Sequence, residues 1–364
     1  MAAASEVLRP AGRITMSSYL RAVRGRRMTS ATTLLIAAVA ALALAAATAP
    51  RALAAAPGGA AAPGGAKVTS GLLIAIRTLN GAALVKEGSL GAAWNEEYPD
   101  VEDVAVATDT TNGPLMAVVT ASGELMVKEG SLTAKWTDEA SDVDEVSVAS
   151  DPVNGPLIGA VTATGEALVK EGSLTAPWNH EYSSAENISV ASDSAHGPLI
   201  GVLTESGEAL VKQGSLGAAW NHEHGGVGEV SVATDTKNGP LIEVATEDDE
   251  VLAKEGSLGA GWTDEHSSAI NGAAASDPVN GPLIGVLATV TSPDVAELVK
   301  EGSLGAGWTD EDGNATGLDL ASAPATGPLI AVVTESGEAM VKEGSLTAPW
   351  NDEYSNVTQA DVAG

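Results

Sequence analysis

The phrase LVKEGSLGAAWNEEY, at residues 84–98, recurs with small variations seven times in this chain of 364 residues. The tryptophans near the end of each copy are 42 residues apart, except for one interval of 46 residues. A fixed period of roughly 40 residues is typical of an array of supersecondary units, each of which packs against its neighbours. The repeat therefore limits the chain to a propeller, a solenoid or an array of helices.

Each period has the pattern of four short β-strands. In the copy at residues 187–224, the runs ISVAS, LIGVLT and ALVKQG are separated by the turn sequences HGP and SGE, and a fourth segment carries the Trp. Short runs rich in Val, Ile and Leu between Gly, Pro and Ser are typical of strands joined by tight turns. Solenoid coils are shorter, and helical repeats do not tolerate so much Gly, Pro and β-branched sequence. The sequence predicts an all-β fold, a seven-bladed β-propeller of four-stranded blades built from 42-residue repeats.

The sizes of the side chains predict the order of the strands in a blade. ISVAS and its counterparts are small and apolar, as expected near a crowded axis, whereas the Trp segment fits the roomier outer rim. On this phasing the chain enters the propeller at Leu72 with a second strand, LLIAIR, and residues 357–362 supply a first strand. We expect the C-terminal strand to complete the first blade and close the ring, which hides a sheet edge.

The composition agrees with thin, regular layers. The chain has seven Trp, all in the repeats, four Tyr, no Phe and no Cys. Its core must therefore be built mainly from Val, Leu, Ile and Ala, with Trp as the large filler. The lack of Cys excludes disulfides and cysteine-based catalysis or metal sites.

The N-terminal segment differs from the repeats. An arginine-rich stretch, residues 21–27, precedes the apolar run TTLLIAAVAALALAAATA, and Ala-Leu-Ala follows at residues 52–54. A basic region, an apolar region and a small-residue site predict a secretory signal peptide over residues 1–56. An uncleaved N-terminal membrane anchor is the alternative. We expect the protein to be secreted or extracytoplasmic.

The remaining chain divides into a linker and the propeller, and it is strongly acidic. Residues 57–70 are rich in Ala, Pro and Gly and predict a flexible linker, and residues 71–364 form the propeller. Residues 1–56 hold seven Arg and one Glu, so their removal leaves 11 basic and 47 acidic residues, a formal charge of −36. Such a charge repels nucleic acid and anionic membrane surfaces. We expect no nucleic-acid partner and no membrane insertion after signal removal.

Seven of those 11 basic residues are one lysine per repeat. They are Lys86, Lys128, Lys170, Lys212, Lys254, Lys300 and Lys342. One cation per blade in so acidic a chain favours ion pairing with a repeated glutamate, such as Glu97 or Glu139, over catalysis.

The four residues that begin with each Trp are the candidates for a ligand site, because they read WNEE, WTDE, WNHE or WNDE. A flat ring beside an amide or hydroxyl and a carboxylate suits a sugar, since the ring stacks on C–H groups while the polar groups bond to hydroxyls. The predicted carbohydrate-binding sets are Trp94, Asn95, Glu97; Trp136, Thr137, Glu139; Trp178, Asn179, Glu181; Trp220, Asn221, Glu223; Trp262, Thr263, Glu265; Trp308, Thr309, Glu311; and Trp350, Asn351, Glu353. The alternative is packing, with one Trp filling the wedge between neighbouring blades. Both roles are compatible if one ring edge stays exposed.

The residue that follows each set varies, so sites on different blades are expected to differ. It is Tyr98, Ala140, Tyr182, His224, His266, Asp312 or Tyr354. The His-Glu-His sequence at residues 222–224 matches no established metal signature, and we expect it on a solvated loop.

Asp-x-x-Asn-Gly turns recur between the first two strands, starting at Asp109, Asp151, Asp235 and Asp277. They offer oxygen ligands but lack the alternating spacing of a calcium loop. We expect them to be structural and the protein to use no metal or other cofactor, with calcium as the alternative.

The succession of Trp, ISVAS, IGVLT, a Gly turn and ALVKEG resembles the tectonin and tachylectin-like β-propeller repeats over residues 71–364. The resemblance implies a non-enzymatic lectin with several equivalent sugar sites around the ring. The second strand has Ile at positions such as Ile200 and Ile242, where a tectonin-type repeat has a further Trp. One aromatic platform per blade is therefore missing.

Together these features predict an exported, non-catalytic propeller that binds glycans or a glycan-bearing surface through several weak sites acting together. The alternative is a structural or protein-interaction scaffold without sugar binding. An enzyme is not expected, because no copy adds a unique nucleophile, acid–base pair or metal set. The one notable break in the repeat is at residues 288–298, four residues longer than its counterparts, which predicts an extended hairpin.

Overall fold

The computed structural model describes residues 71–364 apart from residues 110 and 292–293. This part of the chain forms 28 β-strands in seven four-stranded antiparallel sheets. The predicted signal peptide and linker lie outside the described residues and stay predictions. Within those residues, no helix has the length and apolarity needed to cross a membrane.

Each blade contains four strands that follow one another from the axis outward. Blade 1 contains β28 (Val357–Ala363), β1 (Leu73–Thr78), β2 (Ala83–Glu87) and β3 (Asn95–Tyr98). Blade 2 contains β4 (Val101–Asp109), β5 (Gly113–Thr120), β6 (Leu125–Glu129) and β7 (Thr137–Ala140), and blade 3 contains β8 (Val143–Asp151), β9 (Gly155–Thr162), β10 (Glu166–Glu171) and β11 (Asn179–Ser183). Blade 4 contains β12 (Ala185–Asp193), β13 (Gly197–Thr204), β14 (Glu208–Gln213) and β15 (Asn221–Gly225), and blade 5 contains β16 (Val227–Asp235), β17 (Gly239–Thr246), β18 (Val251–Glu255) and β19 (Thr263–His266). Blade 6 contains β20 (Ala269–Asp277), β21 (Gly281–Thr291), β22 (Asp294–Glu301) and β23 (Thr309–Asp312), and blade 7 contains β24 (Ala315–Ala323), β25 (Gly327–Thr334), β26 (Glu338–Glu343) and β27 (Asn351–Ser355).

The first strands of the blades form the innermost layer of the ring. Each contacts the first strand of the next blade, in an unbroken circle of β4, β8, β12, β16, β20, β24 and β28. Small side chains such as Ser189 and Ala191 allow seven strands to meet there, whereas each outer strand begins directly after a Trp. The seven-bladed propeller and the predicted order of the strands are confirmed.

The C-terminal strand closes the ring. β28 pairs antiparallel with β1, and Ile74 lies opposite Val362 in the register. Side chains reinforce the closure: Asp319 in blade 7 accepts a hydrogen bond from the backbone N–H of Val362 (2.8 Å), and Asp361 accepts one from Val106 in blade 2 (3.2 Å). Blade 1 therefore combines both ends of the propeller, as predicted.

Two turn positions show why glycine recurs in the repeat. Gly155 has φ of +81°, and a Cβ on it would lie 2.8 Å from the carbonyl oxygen of Gly172. A side chain would meet both the strained backbone and this close approach, so only glycine fits. Asp249, which stands in the Gly position of another turn, has φ of +63°. Aspartate tolerates this left-handed region better than most residues.

The insertion in blade 6 lengthens one hairpin. β21 and β22 continue their pairing beyond the usual turn, as far as Thr291 opposite Asp294. The predicted extended hairpin is confirmed.

The core lies between adjacent blades. At the junction of blades 3 and 4, Leu157 and Val169 pack with Ile188 and Ile200, and Trp220 covers the outer end of this cluster. Burial of one such aliphatic side chain contributes about 1.5–3 kcal/mol. Each blade is thus stabilised on both faces by its neighbours, in thin layers of Val, Leu, Ile and Ala.

Candidate functional site

The Trp of each blade lies at the junction with the preceding blade. Trp220 in blade 4 donates its indole N–H to the backbone carbonyl of Glu181 in blade 3, at 3.2 Å. The same bond occurs at all seven junctions, at 2.8–3.3 Å. Since the indole donor is satisfied and the ring also packs on the core, its orientation is fixed. The Trp therefore fills the wedge between blades.

A buried lysine lies over each Trp ring. The Nζ atom of Lys212 is 4.8 Å from the centroid of the Trp220 ring, donates to the carbonyl of Leu216 and is ion-paired with Glu181. The distance from Nζ to the ring centroid is 4.7–4.9 Å at all seven junctions. A cation–π contact contributes about 2 kcal/mol when it is desolvated. The paired carboxylate and the hydrogen bond compensate for the burial of the lysine charge. We call the lysine, the Trp and the paired glutamate the junction cluster.

Every ion pair of the junction clusters joins two blades. The pairs are Lys86–Glu353, Lys128–Glu97, Lys170–Glu139, Lys212–Glu181, Lys254–Glu223, Lys300–Glu265 and Lys342–Glu311. The predicted pairing of the repeated lysines with Glu97 and Glu139 is confirmed. The lysines have a structural role that holds neighbouring blades together.

The contacts of each predicted sugar-binding set are divided between two junctions. Trp178 donates to the carbonyl of Glu139 in the preceding blade, whereas Glu181, from the same set, is paired with Lys212 in the following blade. The glutamate carboxylates are nearly inaccessible to solvent, with at most 7% of the side chain exposed. The Trp and the Glu of one set therefore serve different junction clusters.

The accessible surface of each junction includes part of the Trp and the residue that follows it. All seven Trp are half-buried. The next residue is exposed at Asn95, Thr137, Asn179, Asn221, Thr263 and Asn351, and half-buried at Thr309. Each junction therefore offers a partly accessible Trp and, in the next residue of the chain, an amide or a hydroxyl.

The variable residue after each set makes the junctions unequal. Where it is Tyr or His, its ring packs edge-to-face against the Trp of the next blade, with centroids 5.4–6.1 Å apart and planes at 76–85°. For Trp178, the variable residue of the preceding blade is Ala140 instead, and for Trp350 it is Asp312. The surroundings of the Trp differ from blade to blade, as the sequence predicts.

The histidines near the Trp lie on strands. Residues 222–224 belong to β15, where His222 is exposed and His224 packs against Trp262. The prediction of a solvated loop for this segment is therefore wrong, because pairing with β14 extends through it. Burial lowers the pKa of His266, although Asp264 opposes the shift.

The Asp-x-x-Asn-Gly turns use their carboxylates as caps. Asp109 accepts hydrogen bonds from the backbone N–H groups of Thr111 and Asn112, at 2.7 and 2.8 Å, and the hydroxyl of Ser150 in blade 3 donates to its other oxygen. Burial alone would raise the pKa of Asp109, but these hydrogen bonds outweigh it and lower the pKa below the usual 3.8. These turns are therefore also latches between blades. Among the described residues, no group of three or more His, Cys, Asp or Glu is placed to hold a metal ion.

Sequence comparison gives no relative: no family model matches the chain, and no curated protein matches it. Solved structures do resemble it. The BP39L lectin from Burkholderia pseudomallei superimposes with a TM-score of 0.58 at 14% identity, over 79% of this chain and 95% of the lectin. BBS1N, in its complex with ARL6DN, gives a TM-score of 0.56 at 12% identity, over 78% of this chain and 90% of its own. The tricorn protease gives 0.50 at 11% identity, over 80% of this chain and 34% of the protease.

The likeness is one of fold. A lectin, a component of a protein complex and a protease share the propeller architecture with this chain, so the fold alone does not select among their activities. The tectonin and tachylectin-like resemblance stays a prediction that agrees with the propeller fold.

Proposed function

We propose that this chain is an exported, non-catalytic propeller that binds carbohydrate at several junctions around its ring. The observation that carries the proposal is the accessible surface of each junction, a half-exposed Trp beside an exposed Asn or Thr, such as Trp178 beside Asn179. A sugar ring stacks on an aromatic surface while an amide or a hydroxyl bonds to its hydroxyl groups.

The junction cluster supports this role by holding the Trp in place. At the junction of blades 2 and 3, the indole N–H of Trp178 bonds to Glu139 and its ring lies against Lys170. A ring fixed before binding loses little entropy when a ligand stacks on it. In this proposal the Trp and the Asn or Thr contact the sugar, and the buried glutamate positions the cluster.

The ring arrangement favours weak sites that act together. The sets differ little in the residue after the Trp, which is Asn or Thr throughout, although the neighbouring aromatic residue varies. Sites that are weak alone gain about 10²–10⁴-fold when several engage one surface at once. The ligand of this proposal is therefore a glycan-bearing surface rather than one free sugar.

A glycan-array screen tests the proposal. The protein is applied with and without calcium, and tryptophan emission is recorded with each ligand that binds. Binding accompanied by a change in emission supports the proposal, and a calcium requirement would direct attention to the Asp-x-x-Asn-Gly turns. No binding by a folded protein to neutral, amino or acidic sugars would overturn it.

A specific observation favours a second function, that of a scaffold. The indole N–H of Trp178, the ammonium of Lys170 and the carboxylate of Glu139 already have partners within the protein. In this second function, the repeated residues only hold the blades of the ring together. The Trp178→Phe variant separates the two functions. If the protein is a scaffold, the variant has a lower melting temperature and there is no glycan binding to be weakened.

A further inference from the structure

At the junction between blades 5 and 6, the small and the large residue of one facing pair are reversed relative to the junction between blades 4 and 5. At the junction between blades 4 and 5, Gly201 lies against Val230 and Val232, and a Cβ on it would be 2.9 Å from a Val232 methyl group. Between blades 5 and 6, Glu243 takes the place of this glycine, and Gly272 takes the place of the branched residue. One break in the repeat therefore matches the other across the same interface.

Glu243 occupies the space that Gly272 leaves open. A Cβ built on Gly272 would lie 1.6 Å from the Oε1 atom of Glu243, so a side chain at position 272 would clash with the carboxyl group of Glu243 in this conformation. The Glu243 side chain is 1% exposed, and neither of its carboxylate oxygens has a hydrogen-bond partner among the described residues. A buried carboxylate with no donor is strongly disfavoured, whereas the protonated acid is not charged.

Three charged groups interact electrostatically with Glu243, and they lie on three strands: Glu229 on β16, Glu265 on β19 and Lys300 on β22. Lys300 is already ion-paired with Glu265. Burial raises the pKa of Glu243 well above the usual 4.5; the two glutamates raise it further, and Lys300 opposes them. The surroundings thus favour the protonated form of Glu243.

We propose that the junction between blades 5 and 6 is a pH-sensitive seam of the ring, closed while Glu243 carries its proton and loosened when the proton is lost. Ionisation adds a second negative charge to that of Glu265 near one lysine, at a position where neither Glu243 oxygen has a hydrogen-bond partner among the described residues. The charged group regains water only when blades 5 and 6 separate locally.

The direction of the effect follows from the two protonation states. In the opened seam Glu243 is solvated and has the usual pKa of 4.5. Below this pH the closed and opened forms are both protonated, so pH does not affect opening. Above it, opening releases a proton, and the opened population grows by up to about tenfold per pH unit until the pKa of the closed form is reached.

Two backbone amides report on the seam and on a matched junction in the same molecule. The N–H of Ala274 in blade 6 donates to the hydroxyl of Ser231 in blade 5 at 3.2 Å. The N–H of Val232 in blade 5 donates to the hydroxyl of Ser189 in blade 4 at 3.1 Å. Both bonds bridge inner strands in the same way, so a comparison of the two isolates the effect of Glu243.

Hydrogen exchange of these two amides is measured at pH 5 and pH 8, corrected for the intrinsic exchange rate. We expect the protection of Ala274 relative to Val232 to fall by at least about tenfold at pH 8. An equal change at both amides would overturn the proposal. Exchange at single sites is chosen because other buried acids, such as Glu297, also contribute to global unfolding.

Two variants assign the effect to Glu243. Glu243→Gln keeps the shape and removes the charge, and Glu243→Gly combined with Gly272→Val rebuilds the pair found between blades 4 and 5. Each is expected to abolish the pH-dependent difference between Ala274 and Val232. A difference that persists in either folded variant would overturn the proposal.

Discussion

Lys128 of blade 2 forms an ion pair with Glu97 of blade 1, and only 2% and 7% of the two side chains are exposed. The same lysine lies 4.8 Å from the centroid of the Trp136 ring, and the carbonyl of Glu97 accepts the indole N–H at 3.2 Å. Blades 1 and 2 are separate sheets. The cluster therefore supplies polar contacts between blades at the outer rim of a chain that has no disulfides.

Replacing Lys128 with Met should destabilise the propeller by about 3–5 kcal/mol, because Glu97 would remain buried without its cation. The double variant Lys128→Met with Glu97→Leu should recover much of this loss, since no unpaired charge is left. Urea unfolding at neutral pH measures both free energies. The control is Lys135→Ala on the exposed surface, expected within about 0.5 kcal/mol of the natural protein.

Deletion of residues 355–364 should sharply lower the melting temperature. It removes β28, which pairs with β1 and supplies the inner strand of blade 1. The edge of β1 and the core between blades 7 and 1 would be exposed to water. Thermal melting followed by circular dichroism makes the measurement, with deletion of Gly364 alone as the control. An unchanged melting temperature would show that the ring does not depend on this closure.

Substitution of Asp235 by Ala should cost about 1–3 kcal/mol at pH 7. Asp235 caps the N–H groups of Lys237 and Asn238, at 2.8 Å each, and accepts the hydroxyl of Ser276 from the next blade. Burial opposes ionisation, but these hydrogen bonds lower the pKa of Asp235 below 3.8. Because the folded pKa is lowered, the stabilisation is present above pH 3.8 and is lost as the pH falls through the folded value.

The difference in stability between the natural protein and Asp235→Ala should therefore shrink as the pH falls below about 4. Denaturant unfolding between pH 2.5 and 7 measures this difference, with exposed Asp248→Ala as the control. A difference that stays constant across this pH range would contradict the capping role.

Blade 7 offers the reciprocal test, because Ala323 stands where the other turns have Asp. Ala323→Asp should add about 0.5–1.5 kcal/mol for each N–H that it caps.

Loss of one exposed Asn should weaken glycan binding only slightly, whereas loss of several should weaken it steeply. Asn179→Ala alone is expected to change binding to a glycan-coated surface by a few-fold at most. The quadruple variant, with Ala at Asn95, Asn179, Asn221 and Asn351, should bind the surface about 10²-fold more weakly, since fewer sites engage at once.

Surface binding measured by biolayer interferometry makes this comparison, and melting temperatures confirm folding. The control carries Glu205→Ala and Glu335→Ala, two exposed turn residues away from the Trp. Equal binding by the quadruple variant and the control would exclude these asparagines from the site.

The sequence was sufficient for the number of blades and for the order of their strands. Seven Trp at one period set the count, and small residues such as Ser189 and Ala191 indicated the inner strand. The offset between Leu72 and Val357 predicted closure by the C-terminal strand, because a ring must pair its last edge. These features depend on local strand preference and on the packing of like units, which recur in every copy.

The assignment of partners to the candidate site needed the tertiary structure. Trp178 and Glu181 are three residues apart and look like one site, but the glutamate that contacts Trp178 is Glu139, 39 residues earlier. In a repeat of fixed period, a contact within one copy and the same contact made with the preceding copy leave the same trace in the sequence. Only the rotation from one blade to the next decides between them.

The same reason explains why Glu243 and Gly272 stood out only in three dimensions. Each is a single departure from the repeat, and the two residues lie 29 positions apart in the chain. Their side-chain volumes become related once blades 5 and 6 are packed together. Periodicity and composition thus determined the architecture of this protein, while side-chain packing between blades decided which residues form its junctions, because contacts across an interface depend on distance in space and not on position in the repeat.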